Sequence, residues 1–134
     1  MNISSFDDLL AVAKQQTEPQ RLLFVFASAD LPDDSTQAQR ERFQAGEGGA
    51  LVPLMCVDKA LGELRTFADL ANESSQFDKK WSIVFAAALS GSAGVAPTSE
   101  SAEKPLQRMV EAIKAGNLGT FIPFDRNGQA VMLS

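Results

Sequence analysis

The chain contains no histidine and no tyrosine, and its only cysteine is Cys56. Without histidine it lacks the commonest general base and the commonest zinc ligand, which excludes serine–histidine triads. A single thiol cannot close an internal disulfide. A cysteine nucleophile would need activation by some other group, and a structural zinc site would have only one sulfur ligand. Cys56 falls in the apolar run from Ala50 to Val57, where burial is expected to raise its pKa and leave it inert. Neither a metal nor a cofactor is expected from this residue set.

Positive charge is also scarce. Twelve basic residues stand against seventeen acidic ones, for a formal net charge of -5 and a pI near 4.6, so the overall field repels phosphate backbones and anionic lipid headgroups. The close basic pairs, Arg40 with Arg42 and Lys79 with Lys80, come without an aromatic stacking platform. Nucleic acid and membranes are therefore not expected partners. Met1 to Asp8 carry two aspartates and no basic-then-apolar leader pattern, and no stretch reaches membrane-spanning length. A cytoplasmic location is the expectation.

What is present is an ordinary globular composition, 45% hydrophobic and 22% charged over 134 residues, enough for one domain with its own core. Leu22 to Ala27 form a continuous apolar run with β-branched and aromatic residues, the pattern of a strand covered on both faces. Trp81 to Leu89 repeat it. Ala50 to Val57 supply a third strand, which Pro53 places at a sheet edge or at a bulge.

Helical periods alternate with these runs. Phe6, Leu9, Leu10 and Ala13 share one face behind a capping Ser5. A polar helix is expected from Asp34 to Gln44, stopped by Gly46. Leu61, Leu64, Phe67, Leu70 and Ala71 signal a third helix. Leu106, Met109, Val110 and Ile113 signal a fourth, with Pro105 in its first turn. Asp125-Arg126-Asn127-Gly128 predicts a type I′ hairpin turn between Thr120–Phe124 and Gln129–Leu133. The expected fold over residues 1–134 is a single α/β domain, order α-β-α-β-α-β-α-β-β, with a mostly parallel central sheet flanked by helices and a C-terminal antiparallel β-hairpin.

In a parallel sheet, Asp30, Asp33 and Asp34 would lie at the carboxyl end of the first strand, where open α/β folds bind ligands. Mg²⁺ is conceivable there, against the plainer reading of a turn followed by a helix cap at Asp34 or Ser35. The loop after the Trp81–Leu89 strand, with Ser90, Gly91, Ser92 and Gly94, could hold a small anion on its backbone amides. It lacks the lysine and spacing of a P-loop. Gly46-Glu47-Gly48-Gly49 precedes a strand, which suits a tight connection and not a phosphate cradle. The hairpin is apolar in both registers, so Phe121, Phe124, Val131 and Leu133 are candidates for a subunit interface unless a helix of the same chain covers them.

Gln20–Ala27, Gly46–Asp58, Pro105–Gly116 and Phe121–Asp125 together resemble a small family of uncharacterised proteobacterial proteins, over nearly the whole chain. Members of that family sometimes carry the label ribonucleotide reductase alpha subunit, and they have no established catalytic residues. Reductase catalysis requires a thiyl-radical cysteine and a redox-active cysteine pair, which one cysteine cannot supply. The resemblance implies at most an accessory role near nucleotide metabolism. The leading expectation is a non-enzymatic binding or interaction protein, with a homo-oligomer through the C-terminal hairpin as one form. The alternative is a protein or modest enzyme that binds a small anionic or nucleotide-like ligand with loops 30–35 and 90–99.

Overall fold

The computed structural model describes residues 3–30, 37–38, 50–64, 66–75, 81–115, 117–118 and 121–131. Helix α1 spans Phe6–Lys14 and buries Phe6, Leu9, Leu10 and Ala13, the face its spacing predicts. Ser5 accepts the Asp8 amide, while Asp7 and Asp8 sit in the positive first turn. Strands β1 (Gln20–Asp30) and β2 (Ala50–Ala60) follow, then a 3-10 turn over Leu61–Glu63, helix α2 (Phe67–Ser75) and strand β3 (Ile83–Ser90). Helix α3 (Ser99–Lys114) and the short strand β4 (Ile122–Phe124) complete the order.

The sheet order is β2-β1-β3-β4, and every neighbouring pair is antiparallel. This overturns the mostly parallel sheet expected from the sequence. Burial on both faces of β1 is real, since Leu22 to Ala27 are all buried. Burial records only that layers lie above and below a strand, and says nothing about its neighbours' directions. β2 and β3 do run the same way, as a strand–helix–strand crossover requires, but β1 lies between them and pairs antiparallel with both.

Two cores result. Leu22, Phe24, Phe26, Val84, Ala86 and Phe124 face α1 and α2, with Trp81 packed among them. Leu23, Val25, Ala27, Ile83 and Phe85 face α3 through Ala102, Leu106, Met109 and Ile113. The first core is built on aromatic edges: Phe6 meets Phe67 at 5.2 Å and Phe26 meets Trp81 at 5.0 Å between ring centroids. The Trp81 indole N–H donates to the Ser74 hydroxyl at 2.8 Å, so its polar end is satisfied inside the core.

Pro53 behaves as read, on both counts. β2 is an edge strand, and its register with β1 shifts between Phe26 and Ala27, which pair with Met55 and Pro53 and leave Leu54 as the extra residue. The third predicted helix is divided: Leu64 adopts an extended backbone after the 3-10 turn, and Thr66 restarts the helix by accepting the Asp69 amide. Pro105 is not in the first turn of α3, which begins at Ser99 behind the Thr98 cap. The helix carries the proline internally and forgoes the N–H that would bond the Ser101 carbonyl. Of the expected polar helix at 34–44, Gln37 and Ala38 are helical and the remainder lies outside the described residues.

Of the expected C-terminal hairpin, the first arm is β4 and the described part of the second arm is held to it by an isolated Phe124–Ala130 bridge, without a type I′ turn. Gly128 has φ +80°, whereas Asn127 is not among the residues with positive φ, and a type I′ turn needs both. The Gly128 amide donates to the Asp125 carbonyl, and the Asp125 carboxylate accepts the amides of Asn127 and Gln129. That is a type I turn closed by a left-handed glycine. A tight turn with two successive positive φ values occurs instead at Ala93 and Gly94.

Candidate binding groove

The strand ends that carry the two candidate loops lie at opposite ends of the sheet. Ser90 pairs with Gln20 at the start of β1, whereas Asp30 ends β1 and pairs with Ala50. Antiparallel pairing of β1 with β3 makes this unavoidable, because their carboxyl ends then point apart. Asp33 and Asp34 lie outside the described residues.

Four amides of the Ser90–Thr98 loop, those of Gly91, Ser92, Gly94 and Val95, have partners. Gly91 donates to the Pro19 carbonyl, and Ser92 and Val95 exchange amide bonds across the turn. The Gly94 amide donates to the Glu18 carboxylate at 2.8 Å. Ser90 accepts from the buried Gln20 side chain at 2.8 Å, and Ser101 donates to the Thr98 carbonyl. Gly91 is required where it is, because a Cβ there would stand 2.0 Å from the Val95 carbonyl oxygen. A shallow recess of about 360 Å³ beside this loop is lined in part by these same groups, with Leu89, Val95, Ala96 and Pro97 supplying its apolar wall.

At the same end of the sheet, Arg21 bonds Asp58, and Asp58 also accepts from the Ser99 hydroxyl at 3.0 Å. This chain of contacts pins the start of α3 to β1 and β2. Lys59 pairs with Glu73 at 2.7 Å and fastens α2 to β2 in the same way. Both networks are internally complete.

Among the candidate interface residues, Phe124 is wholly buried in the first core. Phe121 and Val131 are half-buried against the second core, and Leu133 lies outside the described residues. The hairpin is apolar in both registers because each face lies on a different core. Cys56 corrects a second expectation: its residue is exposed on the edge strand, not buried. Partial burial, reinforced by the Asp58 carboxylate, still pushes its thiol pKa up, which keeps it protonated and weakly nucleophilic.

A second recess lies between β3 and α3. β4 pairs with Val84, Phe85 and Ala86, and the same register continued past Ala87 reaches residues 120 and 119, which lie outside the described residues. Burial along the strand changes at the same point, from four buried residues to alternating half-buried and exposed ones. Helix α3 packs over β1 and β2 and leaves a groove of about 340 Å³ against the Ala87–Leu89 half of β3. Leu23, Ala87 and Leu89 line it from the sheet. Pro105, Arg108, Met109 and Ala112 line it from α3, and Phe121 also contributes. Ala88 belongs to the opposite face through its pairing with Leu22, so its presence in the lining shows that the groove reaches the strand's own backbone.

Sequence reading found Phe121 and the Ala87–Leu89 run but not their conjunction with Arg108. The available signal was the row Pro105, Arg108, Ala112, each one position before a buried residue of α3, beside a strand that narrows to alanines. No family model, no curated protein and no solved structure matches this chain.

Proposed function

We propose that this chain is a non-enzymatic binding protein and that the groove between β3 and α3 is its contact surface. The observation that carries this reading is an apolar groove with an exposed cation at its rim, a surface that gains free energy on being covered. Among the described residues its lining offers no carboxylate, thiol, hydroxyl or amine that could serve as acid, base or nucleophile. The charged group among them is the Arg108 guanidinium, a binding group that stays protonated in proteins.

Titrating the isotope-labelled protein with short peptides, dodecanoate and inorganic phosphate, and following backbone amide resonances, tests the assignment. Shifts centred on Leu89, Ala112 and Phe121 are expected for at least one probe. Shifts confined to the Ser90–Thr98 loop, or turnover of any probe, would overturn the reading.

A second reading is favoured by β2, an eleven-residue edge strand with Val52 39% exposed. Two copies could pair there, although Pro53 and the bulge beside it both work against edge pairing. Light scattering across a concentration series distinguishes this reading by the appearance of a dimer.

A further inference from the structure

Resting on the groove as contact surface, we infer that its occupant is a small carboxylate with an apolar tail, the tail lying along Leu23, Leu89, Met109 and Phe121 and the carboxylate meeting Arg108. Three observations select this class: size, polarity and charge. The groove, at about 340 Å³, falls at the lower end of the range for small-ligand sites, about 300–1,000 Å³. Among the described residues that line it, Arg108 carries the one strong hydrogen-bonding side chain. An alkyl tail needs no polar partner there, whereas a covered peptide would bring amides and carbonyls along its length that these side chains leave unpaired.

Arg108 supplies the charge complement. Lys104, Pro105 and Ala112 stand one turn from it on α3, and Glu111, the acid at helical contact spacing, pairs with Lys114 at 3.7 Å. The ion pairs among the described residues use Arg21, Lys59 and Lys114, and none engages Arg108, which is exposed at the groove. One guanidinium matches the single charge of a carboxylate in bidentate geometry. A phosphate monoester carries a charge of about -1.5 to -2, and the excess would face an apolar wall on a chain of net charge -5.

The test follows the amide resonances of the labelled whole protein, and the Arg108 Nε–H, through a titration with decanoate below its micelle concentration. Hexanoate, decan-1-ol, decyl phosphate and a glutamate-containing peptide are the comparisons. Saturable one-to-one shifts at Leu89, Arg108 and Phe121 are expected with decanoate, and an affinity lower by about tenfold or more for hexanoate, for decan-1-ol and for decanoate with Arg108→Gln. Ala112→Phe fills the groove and is expected to abolish binding, with unchanged circular dichroism confirming that each variant is folded. Equal affinity for hexanoate would overturn the apolar contact, and equal affinity for decan-1-ol or in Arg108→Gln would overturn the charge contact. Tighter binding of decyl phosphate, or shifts at the groove with the peptide alone, would sink this inference and leave the groove standing. Absence of shifts at the groove with every probe would sink both.

Discussion

Ala86 pairs with Ile122, and beyond that pair β3 continues for four residues, Ala87 to Ser90. The same strand is fully buried on one side of this point and half-exposed on the other. Its inner half belongs to the core of the fold and its outer half borders the groove, so substitutions in the two regions should separate stability from binding.

Phe124 pairs with Val84 in the inner half and is wholly buried. Phe124→Ala is expected to cost about 3–5 kcal/mol, the usual range for emptying an aromatic core site. Urea unfolding measures it. Loss of an oligomer with unchanged monomer stability would return this residue to an interface.

Gly128 ties three elements together. Its carbonyl accepts the Phe6 amide at 2.8 Å, its φ is +80°, and a Cβ there would stand 2.9 Å from Phe67 Cγ. Gly128→Ala combines a left-handed alanine with a clash in the aromatic core, and a loss of about 1–3 kcal/mol is expected. Ala93 presents the opposite case, holding φ 52° without being glycine. Ala93→Asn is expected to raise the midpoint of thermal unfolding slightly, because asparagine tolerates that conformation better.

Asp8 links the first turn of α1 to the segment before it. The Ser4 hydroxyl and then the Ser4 amide donate to its carboxylate and hold its pKa below the ordinary carboxylate value. A carboxylate with a lowered folded-state pKa adds stability above its unfolded value, near about 3.9, and that stability is lost as pH falls through the folded value. Asp8→Asn is therefore expected to be less stable than the parent protein at neutral pH, with the difference vanishing in strong acid. Parallel urea titrations over that pH range supply the comparison; a constant difference would show that Asp8 does not act through its charge.

Arg21 and Asp58 are both largely buried, at 14% and 17% side-chain exposure, and Asp58 also holds Ser99. Asp58→Ala leaves the Arg21 guanidinium only its 3.9 Å pair with Glu63 and releases the start of α3, with an expected loss of about 1–3 kcal/mol. Arg21→Met together with Asp58→Leu should recover part of that loss, because the desolvation cost disappears with the charges. Failure of the double variant to recover any stability would mean that the pair acts mainly by positioning Ser99.

Much of the local structure was legible from the residues. Ser5 and the spacing of Phe6, Leu9, Leu10 and Ala13 identified α1, and Pro53 identified an edge strand with a bulge. Strand direction was not legible. Leu22 to Ala27 are apolar because layers lie on both sides, and an antiparallel sheet between helices yields the same pattern as a parallel one. The separation of Asp30 from Ser90 follows from strand direction, since reversing β3 relative to β1 moves Ser90 to the end of the sheet opposite Asp30. The groove was hidden for another reason: it depends on where β4 stops and on which strands α3 covers, and neither is a property of local sequence.

The central claim, that the groove between β3 and α3 is a contact surface, is tested most directly by the backbone amide resonances of the labelled protein titrated with short peptides, dodecanoate and inorganic phosphate. Shifts centred on Leu89, Ala112 and Phe121 are expected, and Arg108→Glu should weaken them for a probe that carries a carboxylate. Shifts confined to the Ser90–Thr98 loop, or none at the groove with any probe, would contradict it.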